Sequence, residues 1–352
     1  MKPRLLYIIV IVTVLFSSFS HFFTSSSGLQ FLSTSLAIIF LAALLGKATE
    51  TVAYFAGERL GGFLNATFGN AAELIIAIFL VREGLFEMVK ASITGSIIGN
   101  LLFVLGLSIF AGGLKFKQQK FNPLLAGHNA SLMILGVIAL FIPAAFARDL
   151  SKSHMDTFSL VVAGALIAAY FLWLIFSMIT HKTELSDVDH LGNHEQEEKP
   201  LWGKGTAILI LVIATVFVAI QSEWLVHSLG EVAHALGWSE LFVGAFVVAI
   251  VGNAAEHSAA IFMAMKNRIG AAVEIAVGSS LQIALLVGPL LVFISLLFGQ
   301  QMDFLFTREE LAAIGVAVFI AISISRDGMT NWFEGILLLV VYLMIGTAFY
   351  FV

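Results

Sequence analysis

Two glutamates of this chain stand in the same unusual setting. Residues 69–73 and residues 252–256 both read Gly-Asn-Ala-Ala-Glu, so Glu73 and Glu256 close identical pentapeptides inside long apolar stretches. A carboxylate at membrane depth is costly unless a partner, a cation or water accompanies it, which makes such a residue a candidate for function. The repetition favours one shared site over two unrelated packing features.

The residue types of the two motifs suit a cation. Asn70 and Glu73 are three residues apart, as are Asn253 and Glu256, so each pair is expected on one face of a helix. The glycine that opens each motif leaves room for the backbone of a neighbouring helix. If the two faces meet, two carboxylates and two amide oxygens surround one point. Such a set of oxygen ligands suits a hard divalent ion such as Ca²⁺.

The same carboxylates can instead carry protons. Withdrawal from water favours the neutral form of a carboxyl group, and two neighbouring carboxyl groups titrate as a coupled pair. The site would be neutral with one divalent ion or with two protons, and doubly negative when empty, which predicts exchange of ions and not leak. The alternative is that protonated glutamates only join helices through hydrogen bonds. The duplication of the motif makes us favour the ion site.

A second pair of polar stretches follows the motifs at the same distance. Residues 95–100 read Gly-Ser-Ile-Ile-Gly-Asn and residues 278–282 read Gly-Ser-Ser-Leu-Gln, each beginning 26 residues after the first glycine of its motif. Glycines in spanning helices allow local unwinding, and the polar side chains offer oxygens, so we expect further ligands here. These are Ser96, Asn100, Ser279 and Gln282, with Ser280 as an accessory residue. Glu50, three residues after Lys47, either pairs with that lysine or serves as an accessory proton relay.

Composition indicates the class of protein. The chain has 352 residues, of which 59% are hydrophobic and 12% charged, and its mean hydropathy is +0.99. These values predict an all-α polytopic membrane protein that has the lipid bilayer as its surroundings and no nucleic-acid partner. Cysteine is absent, which excludes disulfides, thiolate metal sites and cysteine nucleophiles. Neither a phosphate-binding loop of the Gly-x-x-x-x-Gly-Lys-Ser/Thr type nor a His-Glu-x-x-His motif occurs, so we expect a transporter and not an enzyme.

Apolar segments predict eleven transmembrane helices: one N-terminal helix and two five-helix repeats. The predicted regions are residues 1–28 for the N-terminal helix, 29–180 for the first repeat, 181–204 for an acidic cytosolic linker and 205–352 for the second repeat. The ten spans of the repeats are expected near residues 31–56, 62–81, 89–111, 124–146, 156–180, 205–228, 239–265, 271–299, 310–325 and 331–351.

The distribution of basic residues predicts the orientation. Twelve of the 18 lysines and arginines fall at ends predicted to be cytosolic, five fall at outer ends, and Lys47 lies within a span. Positive charge collects on the cytosolic side of a membrane, so we expect a cytosolic N-terminus and an outer C-terminus. Because each repeat has an odd number of spans, the second is inverted relative to the first. This is the architecture of secondary transporters with a site at the membrane midplane.

The predicted linker is strongly acidic. Its acidic residues include Asp187, Asp189, Glu195, Glu197 and Glu198. Their spacing partly follows a calcium-binding EF-hand loop, but a leucine stands at the fifth position of that frame. We interpret the segment as a solvated linker, with a regulatory calcium site as the alternative.

Taken together, these residues resemble the calcium/cation antiporter superfamily, and specifically its cation/proton exchanger branch. The Gly-Asn-Ala-x-Glu helix of each half matches residues 69–73 and 252–256, and the stretch 278–285 and the acidic linker are also similar. The resemblance implies a protein of the bacterial plasma membrane that exports Ca²⁺ in exchange for H⁺ by alternating access to one central site. It implies Glu73 and Glu256 as the shared carboxylates, and as ligands Asn70, Asn253, Gln282, Ser279, Ser96 and Asn100.

Several properties stay open at this point. No resident cofactor is expected, because Ca²⁺ bound at the central site would be the transported ion. Carboxylate and amide oxygens do not choose sharply among hard cations, so an exchanger for Mn²⁺ or one coupled to Na⁺ or K⁺ is an alternative. A cation channel is another alternative, and the sequence does not decide between a monomer and a homo-oligomer.

Overall fold

The protein is described by a computed structural model that covers residues 3–57, 61, 64, 65, 67–147, 149–181 and 200–352. Of this structure, 85% is helical, in eleven helices, and the predicted all-α class is therefore confirmed. Residues 182–199, which include the five acidic residues named for the linker, lie outside the described residues. Their regulatory role stays a prediction.

The first half of the chain forms six helical runs in the described residues. They are α1 (Pro3–Phe23), α2 (Ser27–Ala56), α3 (Ala71–Arg82), α4 (Phe86–Ile98) continued by the π-helical turn π1 (Gly99–Val104) and by α5 (Leu105–Phe116), α6 (Pro123–Phe146), and α7 (Lys152–Ile175) continued by π2 (Phe176–Thr180). A short strand, β1 (Gln118–Lys120), lies between α5 and α6.

The second half forms five helical runs. They are α8 (Lys204–Leu236), α9 (Glu240–Phe242) continued by π3 (Val243–Val248) and α10 (Ala249–Met265), α11 (Ile269–Gln282) continued by π4 (Ile283–Val287) and α12 (Gly288–Leu297), α13 (Arg308–Ser325), and α14 (Trp332–Phe351). Strand β2 (Met329–Asn331) precedes α14.

Nine of the described runs are long and apolar enough to cross a membrane. The other two are α3 and α13. The 18 residues of α13 begin with three charged residues, Arg308 to Glu310. The 12 residues of α3 are too few, because the chain turns at Gly69 and Asn70, inside the span predicted for residues 62–81. The first motif thus breaks its helix, as discontinuous helices of transporters do at their binding sites.

Helices of the two halves pack against each other throughout the molecule. Helix α8 lies along α2, which α1 covers on another side, while α5 packs against both α10 and α14. Helix α4 contacts π3 and α13. In this arrangement the two motif-bearing helices, α3 and α10, contact each other near the centre of the structure.

The polar Gly-Ser stretches lead into widened helix. The first stretch ends inside the π-helical turn π1, which begins at Gly99, and the second stretch is followed directly by π4. A π-turn inserts a residue into the helical hydrogen-bond ladder and is frequent at functional sites. The sequence predicted unwinding at these places, and the structure has local widening with the chain still helical.

A two-stranded antiparallel sheet joins the halves at one end of the bundle. Gln118 pairs with Asn331, Gln119 with Thr330 and Lys120 with Met329. This sheet connects the segment between α5 and α6 to the segment between α13 and α14, so the two halves are linked by backbone hydrogen bonds as well as by packing.

Candidate cation site

The two identical pentapeptides have different local structures. In the first, Asn70 is the residue before α3, with φ −93° and ψ 21°, and Glu73 lies in the first helical turn. In the second, Asn253 and Glu256 both lie within α10. The expectation that Asn70 and Glu73 share the face of one helix is therefore wrong for the first motif. The free N–H groups and the positive end of the helix dipole at the start of α3 favour a carboxylate at Glu73.

One chain of hydrogen bonds joins Glu73 to the second half. The hydroxyl of Ser96 on α4 donates to Glu73 Oε1. The amide of Asn253 on α10 donates to Ser96 Oγ at 3.0 Å and to its own helix at Ala249 O, also at 3.0 Å. Glu73, Ser96 and Asn253 are all buried, with 3% or less of their surfaces exposed. The carboxyl group is thus fixed by side chains from both halves.

A second chain of hydrogen bonds surrounds Glu256, with the contributions of the two halves exchanged. The hydroxyl of Ser279 on α11 donates to Asn70 Oδ1 at 2.8 Å, and Asn70 Nδ2 donates to Gln282 Oε1 at 2.6 Å. Ser279 also interacts with the carboxyl group of Glu256. A methyl group built on Gly69 would lie 3.4 Å from Glu256 Oε1 and 3.7 Å from Gln282 Oε1. Glu256, Ser279, Asn70 and Gln282 therefore converge beside the first motif.

The two chains correspond to each other across the halves. Ser96 follows Glu73 by 23 residues, and Ser279 follows Glu256 by the same number. Each chain combines a glutamate and a serine of one half with the asparagine of the other. The equal spacing aligns Ser96 with Ser279. It places Gln282 opposite Gly99, and Ile283 opposite Asn100.

Each glutamate keeps one carboxyl oxygen without a hydrogen-bond partner among the described residues. These atoms, Glu73 Oε2 and Glu256 Oε2, are buried, and the two carboxyl groups are close enough to interact by their charges. A buried acceptor without a partner is costly, and a buried charge is costlier. A cation or protons at these two oxygens would compensate this cost.

Close contact between the halves depends on the glycine of the second motif. A methyl group on Gly252 would lie 3.3 Å from Cβ and 3.4 Å from Cα of Glu73. Such distances are tighter than ordinary van der Waals contact, so glycine at this position lets α10 approach α3 closely.

Not every expected ligand joins these chains. The hydroxyl of Ser280 donates to Ala276 O of its own helix at 2.9 Å. Asn100 is buried in π1, and its Nδ2 has no hydrogen-bond partner among the described residues. Glu50 is exposed on α2, whereas none of the residues of the two hydrogen-bond chains is exposed. Their roles stay predictions.

The described residues contain no group of three or more His, Cys, Asp or Glu side chains that could hold a metal. A cation between Glu73 and Glu256 would therefore complete its coordination with amide and hydroxyl oxygens, which Ca²⁺ accepts in flexible geometry. The sequence did not reveal one other buried charged residue, Lys90 on α4. Its only signal was the acidic Glu87 three residues before it, at the start of a span.

The family model described as sodium/calcium exchanger protein matches residues 26–179 and 206–351. The chain belongs to this family. The match covers nearly the full length of every helical run except α1, which ends before residue 26, and it leaves out the whole predicted linker, residues 181–204. The family predicted from the two motifs is thereby confirmed.

Proteins with similar sequences align with nearly the whole chain. The Ca(2+)/H(+) antiporter ChaA of Bacillus subtilis is 45% identical over 99% of this chain and 99% of its own length. The Ca(2+)/H(+) antiporter of Synechocystis is 44% identical over 98% of this chain and 97% of its own length. Among solved structures, that of native YfkE matches with a TM-score of 0.86 at 42% identity, covering 99% of this chain and 100% of the other. The H⁺/Ca²⁺ exchanger CAX, 14% identical with a TM-score of 0.77, covers 99% of this chain and 92% of its own and shares the fold.

Proposed function

We propose that this chain is a Ca²⁺/H⁺ antiporter that exports calcium by alternating access to a site built around Glu73 and Glu256. The observation that carries the proposal is the pair of carboxyl groups of Glu73 and Glu256, each with one buried oxygen that lacks a hydrogen-bond partner among the described residues. Names of the relatives with 44–45% identity over nearly the full length support calcium and protons as the exchanged ions.

Charge neutrality couples the two ions. One Ca²⁺ or two protons neutralise the two carboxylates, whereas the empty site holds two negative charges in a region of low dielectric constant. Like charges repel strongly there, and desolvation adds a further cost. The occupied carrier therefore reorients and the empty carrier does not, which is the condition for exchange. The two hydrogen-bond chains would transmit occupancy at one glutamate to the helices of both halves.

The proposal includes the location and orientation of the chain. We place it in a bacterial plasma membrane with a cytosolic N-terminus and an outer C-terminus. The excess of lysine and arginine at the ends predicted to be cytosolic supports this orientation. Calcium would then leave the cell as protons enter down their gradient.

The test is calcium uptake into inverted vesicles with an imposed proton gradient, with the lumenal pH followed at the same time. Wild type should take up calcium as protons leave the lumen. Glu73→Gln and Glu256→Gln, each alone, should reduce both fluxes to the background of empty vesicles. The glutamine side chain has no negative charge, so it neither attracts Ca²⁺ as a carboxylate does nor takes up and releases a proton.

Glu334→Gln is the matched control. Glu334 is a glutamate of a spanning helix, but it closes a capping box with Asn331 at the start of α14, where glutamine serves equally. Proton-coupled calcium flux that survives in the Glu73 and Glu256 variants would contradict the proposal. Flux that requires Na⁺ or K⁺, or that prefers Mn²⁺, would change the assigned ions, and flux that does not saturate would indicate a channel.

A further inference from the structure

A buried lysine lies outside the two hydrogen-bond chains. Lys90 on α4 is 4% exposed, although it sits within a helix that is long and apolar enough to cross a membrane. An isolated ammonium at such a place is costly, so its surroundings must compensate the charge. It lies six residues before Ser96, about 9 Å along the same helix.

Three oxygens surround the ammonium of Lys90. Its Nζ lies 2.7 Å from Glu87 Oε1, 3.2 Å from Asp303 Oδ1 and 2.9 Å from Leu305 O. A lysine ammonium has three donors, and here each has an acceptor. The carboxyl group of Glu310, which accepts from Thr94 Oγ1 at 3.4 Å, adds a further charge interaction with Lys90. The oxygens around Lys90 are thus of the kind that bind a cation, and the ammonium of the lysine takes the place of the ion.

Two of these oxygens belong to the segment between α12 and α13. This connection, residues 298–307, has no regular structure after residue 299, yet Met302, Phe304 and Phe306 are buried. Asp303 Oδ1 also accepts from Leu305 N at 3.2 Å, which presents both oxygens to Lys90. A methyl group on Gly84, in the turn between α3 and α4, would lie 3.0 Å from Gln300 Oε1. The connection therefore rests on the hairpin formed by α3 and α4.

The equivalent connection in the first half has another chemistry. Between α5 and α6, Gln119 Nε2 donates to Ala264 O at 2.9 Å and to Asn267 Oδ1 at 3.0 Å, at the turn between α10 and α11. Each connection thus contacts the motif-bearing hairpin of the opposite half. The first-half contact of Gln119 is made by a neutral amide, whereas the contact of residues 298–307 includes a buried cation.

We propose that Lys90 is a positioning residue whose ammonium acts as a built-in cation. It seats the 298–307 connection of the second half on the α3–α4 hairpin, which presents Glu73 and Ser96. This role goes beyond the proposed transport function and does not depend on which ion the chain carries.

Chemical rescue tests the proposal on the purified full-length chain in detergent. Lys90→Ala removes a group with the shape and charge of n-propylammonium. Backbone hydrogen exchange within residues 301–305 and 83–90 should become about tenfold faster or more, because charged hydrogen bonds are lost there. Millimolar n-propylammonium should restore the wild-type exchange rates, whereas 1-propanol and tetramethylammonium should not. Amine buffers must be avoided, and the experiment needs no proton gradient, which amines would dissipate.

Further variants make each outcome decisive. Lys152→Met, at an exposed lysine, is the control and should leave exchange in both segments unchanged. If Lys90→Ala does not fold, Lys90→Met, which keeps the length of the side chain, should show the same local increase. Wild-type exchange in Lys90→Met would overturn the proposal. An increase in Lys90→Ala that 1-propanol reverses as well as n-propylammonium does would also overturn it, because packing and not charge would then hold the connection.

Discussion

Two adjacent serines on α11 provide the most direct test of the site geometry. Ser279 and Ser280 are both buried and differ by one position, so their substitution by alanine changes composition and helix propensity equally. Ser279 donates across the halves to Asn70 Oδ1 at 2.8 Å, whereas Ser280 donates to Ala276 O within its own helix at 2.9 Å. Only the first hydrogen bond belongs to the candidate site.

The contacts set the expected magnitudes. In Ser279→Ala a buried amide oxygen loses its donor, which costs about 1–3 kcal/mol, and the side chain of Asn70 is then free to turn away from Gln282. If about 1–2 kcal/mol of this cost appears in calcium binding, the dissociation constant rises roughly five- to thirtyfold. In Ser280→Ala the acceptor is a helix carbonyl that already receives a backbone N–H, so the affinity should change by less than about twofold.

Calorimetric titration of both purified variants with calcium at one fixed pH measures this difference in affinity. The half-saturating calcium concentration for uptake provides a second measurement. Both variants must first show the helical circular-dichroism spectrum and the elution volume of wild type without calcium, because Ser279→Ala is expected to lower the unfolding temperature. Equal weakening by the two substitutions, or unchanged affinity in Ser279→Ala, would refute the reasoning, because the bond between Ser279 and Asn70 would then not organise the site.

Three further predictions follow from contacts already described. Gly252→Ala should weaken calcium binding several-fold in titration, since its methyl group would lie 3.3 Å from Glu73 Cβ, whereas Gly278→Ala, with no heavy atom within 4 Å of its methyl position, should not. Gln282→Leu leaves Asn70 Nδ2 without its acceptor, at a cost of about 1–3 kcal/mol, and should raise the half-saturating calcium concentration for uptake; an unchanged value would separate Gln282 from the site. Asn331→Ala removes the capping box of α14 and should lower the free energy of unfolding by about 1 kcal/mol in thermal or denaturant unfolding, with calcium affinity unaltered.

The sequence was enough to predict the helical membrane class and the family. It also predicted that residues of the two halves would lie together. Apolar segments of membrane-spanning length can satisfy their backbone only as helices, so composition and segment length suffice for the class. The duplicated pentapeptide indicated Glu73 and Glu256 as candidate site residues, because an acidic residue in such a segment is rare and its repetition rarer. Equal spacing from each motif to Ser96 and to Ser279 indicated the serines in the same way.

Only the tertiary structure decided what those residues do to one another. The same pentapeptide stands at the start of α3, where Asn70 precedes the helix, and inside α10, where Asn253 lies, so these five residues alone do not determine where the chain turns. Neighbouring Ser279 and Ser280 likewise differ only in the direction that their helix faces. The role of Lys90 depends on Asp303 and Leu305, more than two hundred residues away, and no local pattern of sequence reports such a contact. Residue types and spacing thus determined which chemistry is available, and the folded arrangement of the helices determined which atoms meet.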